Sequence, residues 1–146
     1  MEIKKIIVPV DFGKTSNKLV EFALYIAKQF SAEIGFCHVV EPLLPEDLVL
    51  DSPSLGDLEK KMGTNAEERI ASLIKDCEGK GITCGGKVLF GDTVDKIISY
   101  AKDQDANMII IGTHGAKGLE KILLGKVAER VVQRSDCPCL VMNPYK

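Results

Sequence analysis

Apolar residues along this chain fall into five short runs, separated by stretches in which they return every three or four positions. Ile3 to Val10 (IKKIIVPV) is rich in β-branched residues and predicts a buried central strand, with Pro9 near the point where it leaves the ladder. Leu19, Val20, Phe22, Ala23, Leu24, Ile26, Ala27 and Phe30 then follow helical spacing, with Thr15 or Ser16 available as the N-cap. Glu33 to Val40 (EIGFCHVV) predicts the second strand. Ala66, Ile70, Leu73 and Ile74 mark a helix ending near Gly79, and Ile82 to Phe90 predicts a third strand weakened by Gly85-Gly86. Asp92 or Thr93 caps a helix whose apolar face is Val94, Ile97, Ile98 and Ala101. The run Met108 to Ile111 predicts a fourth strand, buried on both faces. A last helix carries Val127, Ala128, Val131 and Val132, and Cys139 to Met142 predicts a short final strand after the turn Asp136-Cys137-Pro138. Strands alternating with helices imply right-handed βαβ units and a parallel sheet.

One segment breaks this rhythm. Glu41 to Gly63 holds Pro42, Pro45, Pro53, Gly56 and several acids, and reads as a long mobile excursion with a helix starting near Ser54. Connections of that length in a small domain are commonly lids, binding loops or inserts.

The 146 residues fit one domain spanning 1–146. A net charge of −2 and a pI near 5.7, with no basic stripe, argue against nucleic acid as a partner. No apolar run reaches the length needed to span a bilayer, and the charged start lacks a signal-peptide cleavage site. The five cysteines are scattered and contain no Cys-x-x-Cys pair. Cys137-Pro138-Cys139 reads as two small hydrophobes entering a strand. The expectation is a cytoplasmic protein with reduced thiols, without a membrane or nucleic-acid partner.

The chemistry concentrates in Met108 to Gly125, MIIIGTHGAKGLEKILLG. A buried strand ends at Gly112, further glycines stand at 115, 118 and 125, and a helical pattern follows. Glycines let backbone approach a ligand, and a helix N-terminus aims unpaired N–H groups at it, so the stretch predicts an anion site, above all for phosphate. Neither a Walker A loop nor the dinucleotide fingerprint fits these spacings. What fits is Gly-x-x-Gly, nine residues, then Gly: Gly112-Thr113-His114-Gly115, Ala116 to Leu124, Gly125.

With that motif, IIVPVDF at the start, CHVV in the second strand and LLGKVAERVVQRSDCPCLVM at the end, the chain resembles the universal stress protein family over nearly its whole length. The resemblance implies a Rossmann-like α/β fold, an open five-stranded parallel sheet in order 3-2-1-4-5 with helices on both faces. In the nucleotide-binding branch it implies ATP or another adenine nucleotide, with Mg²⁺ as its companion, between the carboxyl ends of the first and fourth strands. Carried over by position, Pro9, Val10 and Asp11 lie near adenine and ribose, and Val39 or Val40 lines the adenine pocket. Gly112, Thr113, His114, Gly115, Gly125, Lys126 and Val127 form the ribose and phosphate side. The resemblance also implies a homodimer in which Cys139 to Met142 pairs across a two-fold axis.

Lys126 departs from the family pattern, which has Ser or Thr directly after the last glycine. A lost hydroxyl bond to phosphate costs about 1.5–3 kcal/mol, although lysine can act as a point charge. Glu129, one turn on, is its alternative partner. Asp11 is placed either for ribose hydroxyls or to cap the loop after it, and Lys117 either reaches phosphate or is solvated. His114 has no paired nucleophile and reads as a loop histidine near phosphate or solvent. Three functions follow: a nucleotide-binding homodimer in stress response or signalling, a slow ATPase or self-phosphorylating protein, and a dimeric interaction module that no longer binds nucleotide. No catalytic residue and no metal-ligand cluster is expected.

Overall fold

The computed structural model describes residues 1–42, 55–113 and 124–145. Nine elements follow in order: β1 (Lys5–Pro9), α1 (Ser16–Phe30), β2 (Glu33–Val40), α2 (Leu55–Glu78), β3 (Cys84–Phe90), α3 (Thr93–Asp103), β4 (Met108–Gly112), α4 (Lys126–Arg134) and β5 (Cys139–Met142). The strands form one parallel sheet in the order β3-β2-β1-β4-β5. This is the Rossmann-like order expected from the resemblance.

Alternate residues of each strand feed two separate cores, as period-two side chains require. Ile6, Val8, Val10, Ile34, Phe36 and Ile110 pack with α1 and α2. Ile7, Cys37, Ile109 and Ile111 pack with α3 and α4. The central strands are therefore covered on both faces, which is why their sequences read as unbroken apolar runs. The amino-terminal edge is tied by Asn107, whose Oδ1 accepts the N–H groups of Lys4 and Lys5 at 2.8 and 2.9 Å. Its own N–H donates to the Lys5 carbonyl at 2.9 Å.

Several boundaries differ from the sequence reading. β1 runs over Lys5–Pro9 rather than Ile3 to Val10. Val10 has left the ladder, although its N–H still reaches the Cys37 carbonyl at 2.8 Å. β3 begins at Cys84 rather than Ile82, because the Ile82 N–H turns back to the Cys77 carbonyl at the end of α2. Within the excursion, α2 begins at Leu55, beside the start expected near Ser54, and runs through Gly63 without a break, while residues 43–54 lie outside the described residues. Gly63 lies inside this helix, facing β3. A Cβ there would lie 2.7 Å from Phe90 Cζ, the far end of a half-exposed side chain that can turn aside. Asp92, not Thr93, caps α3, its carboxylate accepting the Asp95 N–H. Thr15 occupies the N-cap position of α1 but makes no capping hydrogen bond. On α4 only Ala128 and Val131 are buried, whereas Val127 and Val132 are exposed.

Gly85 and Gly86 play unequal parts. A Cβ at Gly86 would stand 2.7 Å from Ile70 Cγ2 and 3.1 Å from the Phe36 carbonyl, whereas a Cβ at Gly85 meets nothing within 4 Å. Gly86→Ala is expected to destabilise the protein by about 1–3 kcal/mol through overpacking against α2. Gly85→Ala should be neutral or stabilising by about 0.5 kcal/mol, since it only removes glycine's entropy cost in a strand. Urea unfolding of the two variants beside the parent distinguishes these outcomes.

Burial pushes the Cys37 thiol from 9.0 up to about 12. The native state thus keeps a proton that the unfolded chain releases above pH 9, and stability falls as pH rises through that window, by about 1.4 kcal/mol per unit. Unfolding measured between pH 8 and 11 should show this decline, and Cys37→Val should lessen it without abolishing it, because burial raises the Cys84 thiol to about 12 as well.

Candidate functional site

The sheet order places the change of winding direction between β1 and β4. The chain leaves β1 through α1 toward β2 on one side, and reaches β4 through α3 on the other. In open α/β sheets such a switch opens a crevice outside the carboxyl ends of the two strands. The β1–β4 ladder holds only the register pairs Ile6↔Met108 and Ile7↔Ile109, so the two strands are not paired beyond Ile7 and Ile109 toward that end.

On the β1 side, Pro9 ends the strand opposite Cys37, and Val10 is buried. Asp11 is exposed, and one of its carboxylate oxygens, Oδ1, accepts the Gly13 N–H at 2.9 Å and the Ser16 Oγ–H at 3.1 Å. The loop-capping role of Asp11 is therefore present. It occupies Oδ1 alone, and Oδ2 has no partner among the described residues. Phe12 follows with φ of 59°, a left-handed conformation that costs a bulky residue of order 1–3 kcal/mol. Surrounding contacts hold it there. The His38 ring lies 4.9 Å away at a 42° tilt, and the Arg69 guanidinium sits 5.3 Å from its centroid. His38 in turn places Nδ1 2.7 Å from the Val10 carbonyl oxygen. A carbonyl can only accept, so Nδ1 carries the proton.

At the end of β2, Val39 packs on the α3–α4 core, and Val40 is buried with its carbonyl accepting the Gly91 N–H at 3.1 Å. Both valines therefore stand at the carboxyl end of the sheet, beside β1.

On the β4 side, Gly112 pairs with Met142 as the last strand residue. Thr113 is buried, its N–H donates to the Met142 carbonyl at 2.8 Å, and its own carbonyl accepts the Gly125 N–H at 2.7 Å. Gly125 does not use positive φ: it is extended, with φ of −69°. Its glycine character answers a close approach, because a Cβ would stand 2.8 Å from the Thr113 carbonyl oxygen. That contact seats the start of α4 against the end of β4. Gly125 supplies no side-chain cap, and its carbonyl accepts the Glu129 N–H at 3.0 Å. The N–H groups of Lys126, Val127 and Ala128 precede the first helical hydrogen bond and have no acceptor within the helix. Lys126 and Val127 are exposed, and no ion pair joins Lys126 to Glu129.

The sequence-derived residues Pro9, Val10, Asp11, Val39, Val40, Gly112, Thr113, Gly125, Lys126 and Val127 thus gather at one end of the sheet. His114, Gly115 and Lys117 lie outside the described residues. His38, Phe12 and Arg69 escaped the sequence reading, because their association depends on β1–β2 pairing and on α2 crossing nearby. Among the described residues no group of three His, Cys, Asp or Glu side chains could hold a metal ion. Burial raises the Cys139 thiol, which packs with Cys137 against the α3–α4 core, in keeping with small hydrophobes rather than thiolates.

Gly125→Ala is expected to cost about 1–3 kcal/mol and to speed hydrogen exchange at the amides of position 125 and Glu129, which bond to the Thr113 and position-125 carbonyls, because the helix must retreat from Thr113. Native-state exchange followed by NMR checks both effects.

Comparison with known proteins agrees with this geometry. Residues 2–143 match the model of the universal stress protein family. The universal stress protein MJ0531 of Methanocaldococcus jannaschii is 32% identical over 145 residues, covering 98% of this chain and 84% of that protein. The solved structure of hypothetical protein MJ0577, from the same organism, superposes with a TM-score of 0.84 at 26% identity, covering 98% of this chain and 97% of the other. An Archaeoglobus fulgidus universal stress protein solved in complex with dAMP gives a TM-score of 0.66 at 20% identity, covering 97% and 98% of the two chains.

Proposed function

The chain belongs to the universal stress protein family, and we propose that it is a single-domain stress-response or signalling protein that binds an adenine nucleotide at the β1–β4 crevice. The observation that carries this reading is the uncapped amino terminus of α4, seated against Thr113 by a glycine that leaves no room for a side chain. Backbone N–H groups there, together with the positive end of the helix dipole, form a cradle suited to phosphate. Lys126 adds a point charge beside it. Asp11, with Oδ2 uncommitted among the described residues, suits ribose hydroxyls, and Pro9, Val10 and the end of β2 supply an apolar wall for the base. The bound dAMP of the Archaeoglobus relative supports adenine as the base. Mg²⁺ would accompany a di- or triphosphate through the phosphate oxygens.

Binding rather than turnover is the function proposed, since what the described residues assemble is a phosphate cradle. We further propose a homodimer through β5. This strand is the sheet edge, and Val141 on it and Val132 on α4 are exposed, so pairing with a second copy would cover an apolar edge. Lys126 in place of a hydroxyl favours a second reading, an interaction module that has lost its nucleotide. No helix among the described residues is long and apolar enough to cross a membrane. The site is proposed to work in the cytoplasm.

Calorimetric titration of the protein, freed of bound small molecules, with ATP, ADP and AMP decides between these readings. Saturation below millimolar concentration is expected, and its absence for all three nucleotides would favour the interaction module. Lys126→Ala should weaken ATP by about tenfold and leave AMP nearly unchanged, as loss of one charge-assisted contact to the outer phosphates requires. Equal weakening of both nucleotides would count against a phosphate-reading lysine.

A further inference from the structure

His38 touches both neighbours of Asp11 without touching Asp11 itself. Its Nδ1–H donates to the Val10 carbonyl at 2.7 Å, and its ring packs on Phe12 with centroids 4.9 Å apart. Phe12 is the residue whose left-handed φ of 59° turns the backbone so that the Gly13 N–H meets Asp11 Oδ1. Oδ1 is then spent on Gly13 and on Ser16 Oγ, and the direction of Oδ2 follows from that fixture. Arg69, from α2, stands over the Phe12 ring at 5.3 Å from its centroid. An aromatic residue holds a left-handed conformation only when its surroundings over-determine it. Here the His38 donor and ring supply that constraint from the neighbouring strand.

We propose that His38 is a positioning residue that sets ribose recognition: by clamping Val10 and Phe12 it aims Asp11 Oδ2 at the sugar hydroxyls. This rests on the nucleotide reading given above. Removing the clamp lets the Val10–Phe12 turn relax and costs the hydroxyl contacts, while the phosphate cradle at α4 stays as it was. His38 therefore governs discrimination between sugars rather than overall affinity for phosphate.

The test is calorimetry on the full chain with ATP and with dideoxy-ATP, which lacks both ribose hydroxyls. The parent should prefer ATP by about tenfold or more, the worth of a hydrogen bond to a charged acceptor. In His38→Leu that ratio should fall to about two or below, with dideoxy-ATP affinity little changed. His38→Asn places its Nδ2–H donor where the ring Nδ1–H stood, and should keep most of the preference. Should His38→Leu fail to fold, His38→Gln, whose donor lies one bond further out, serves as the loss variant and should show the same fall in ratio. A merely structural histidine would weaken both nucleotides alike and leave the ratio at the parent value, which would overturn the inference. A parent that binds the two nucleotides equally would overturn it too while leaving nucleotide binding intact. Binding of neither nucleotide would overturn both.

Discussion

The backbone of Thr113 is the joint on which this end of the molecule depends. Its N–H holds β5 through the Met142 carbonyl, and its C=O holds α4 through the Gly125 N–H. A buried backbone group must be paired, and both groups of this one are paired with different elements. Strand, helix and edge strand are thereby fixed relative to each other at the position where β4 stops. The missing side chain of Gly125 is the condition for that joint, since any Cβ would occupy the space of the accepting carbonyl.

Across the crevice a different device does the equivalent work. The Val10–Gly13 turn is held by side chains rather than by a glycine: His38 from β2, Arg69 from α2, and the carboxylate of Asp11. One wall is therefore rigid through backbone, the other through packing around a strained aromatic residue. Under the proposed function the two walls would answer to different parts of the nucleotide, charge on the α4 side and shape on the β1 side.

Much of this was legible in the residues. Buried parallel strands announce themselves as apolar runs, and the glycine spacing with the flanking motifs pointed to the sheet order. What escaped were positions where a residue type has two physical meanings. Gly86 read as a weak point of the third strand because glycine usually weakens elements, whereas here it permits α2 to lie close to β3. Gly125 reads as a place where backbone approaches a ligand, and its absent volume also seats the helix against Thr113. Val127 and Val132 fitted the helical period yet face outward, since a nine-residue helix packing one narrow stripe buries only Ala128 and Val131. His38 and Phe12 stand inside the segments CHVV and IIVPVDF, yet nothing in the linear order joins them to each other or to Arg69; strand pairing and the crossing of α2 bring the three together.

The tie made by Asn107 at the opposite end of the sheet has a kinetic side. Its bonds to Lys4 and Lys5 bridge 103 and 102 residues, and the short β1–β4 ladder beside them is equally non-local. Closing so long a loop is entropically slow compared with pairing β1 to β2 across a single helix. During synthesis the β1–α1–β2 unit can form while the second half is still being made, but β4 cannot dock until residue 107 and its neighbours have emerged. The β1–β4 crevice consequently takes shape late, with only the β4–β5 edge after it, and a nascent chain that has not yet passed β4 has only one wall of the crevice.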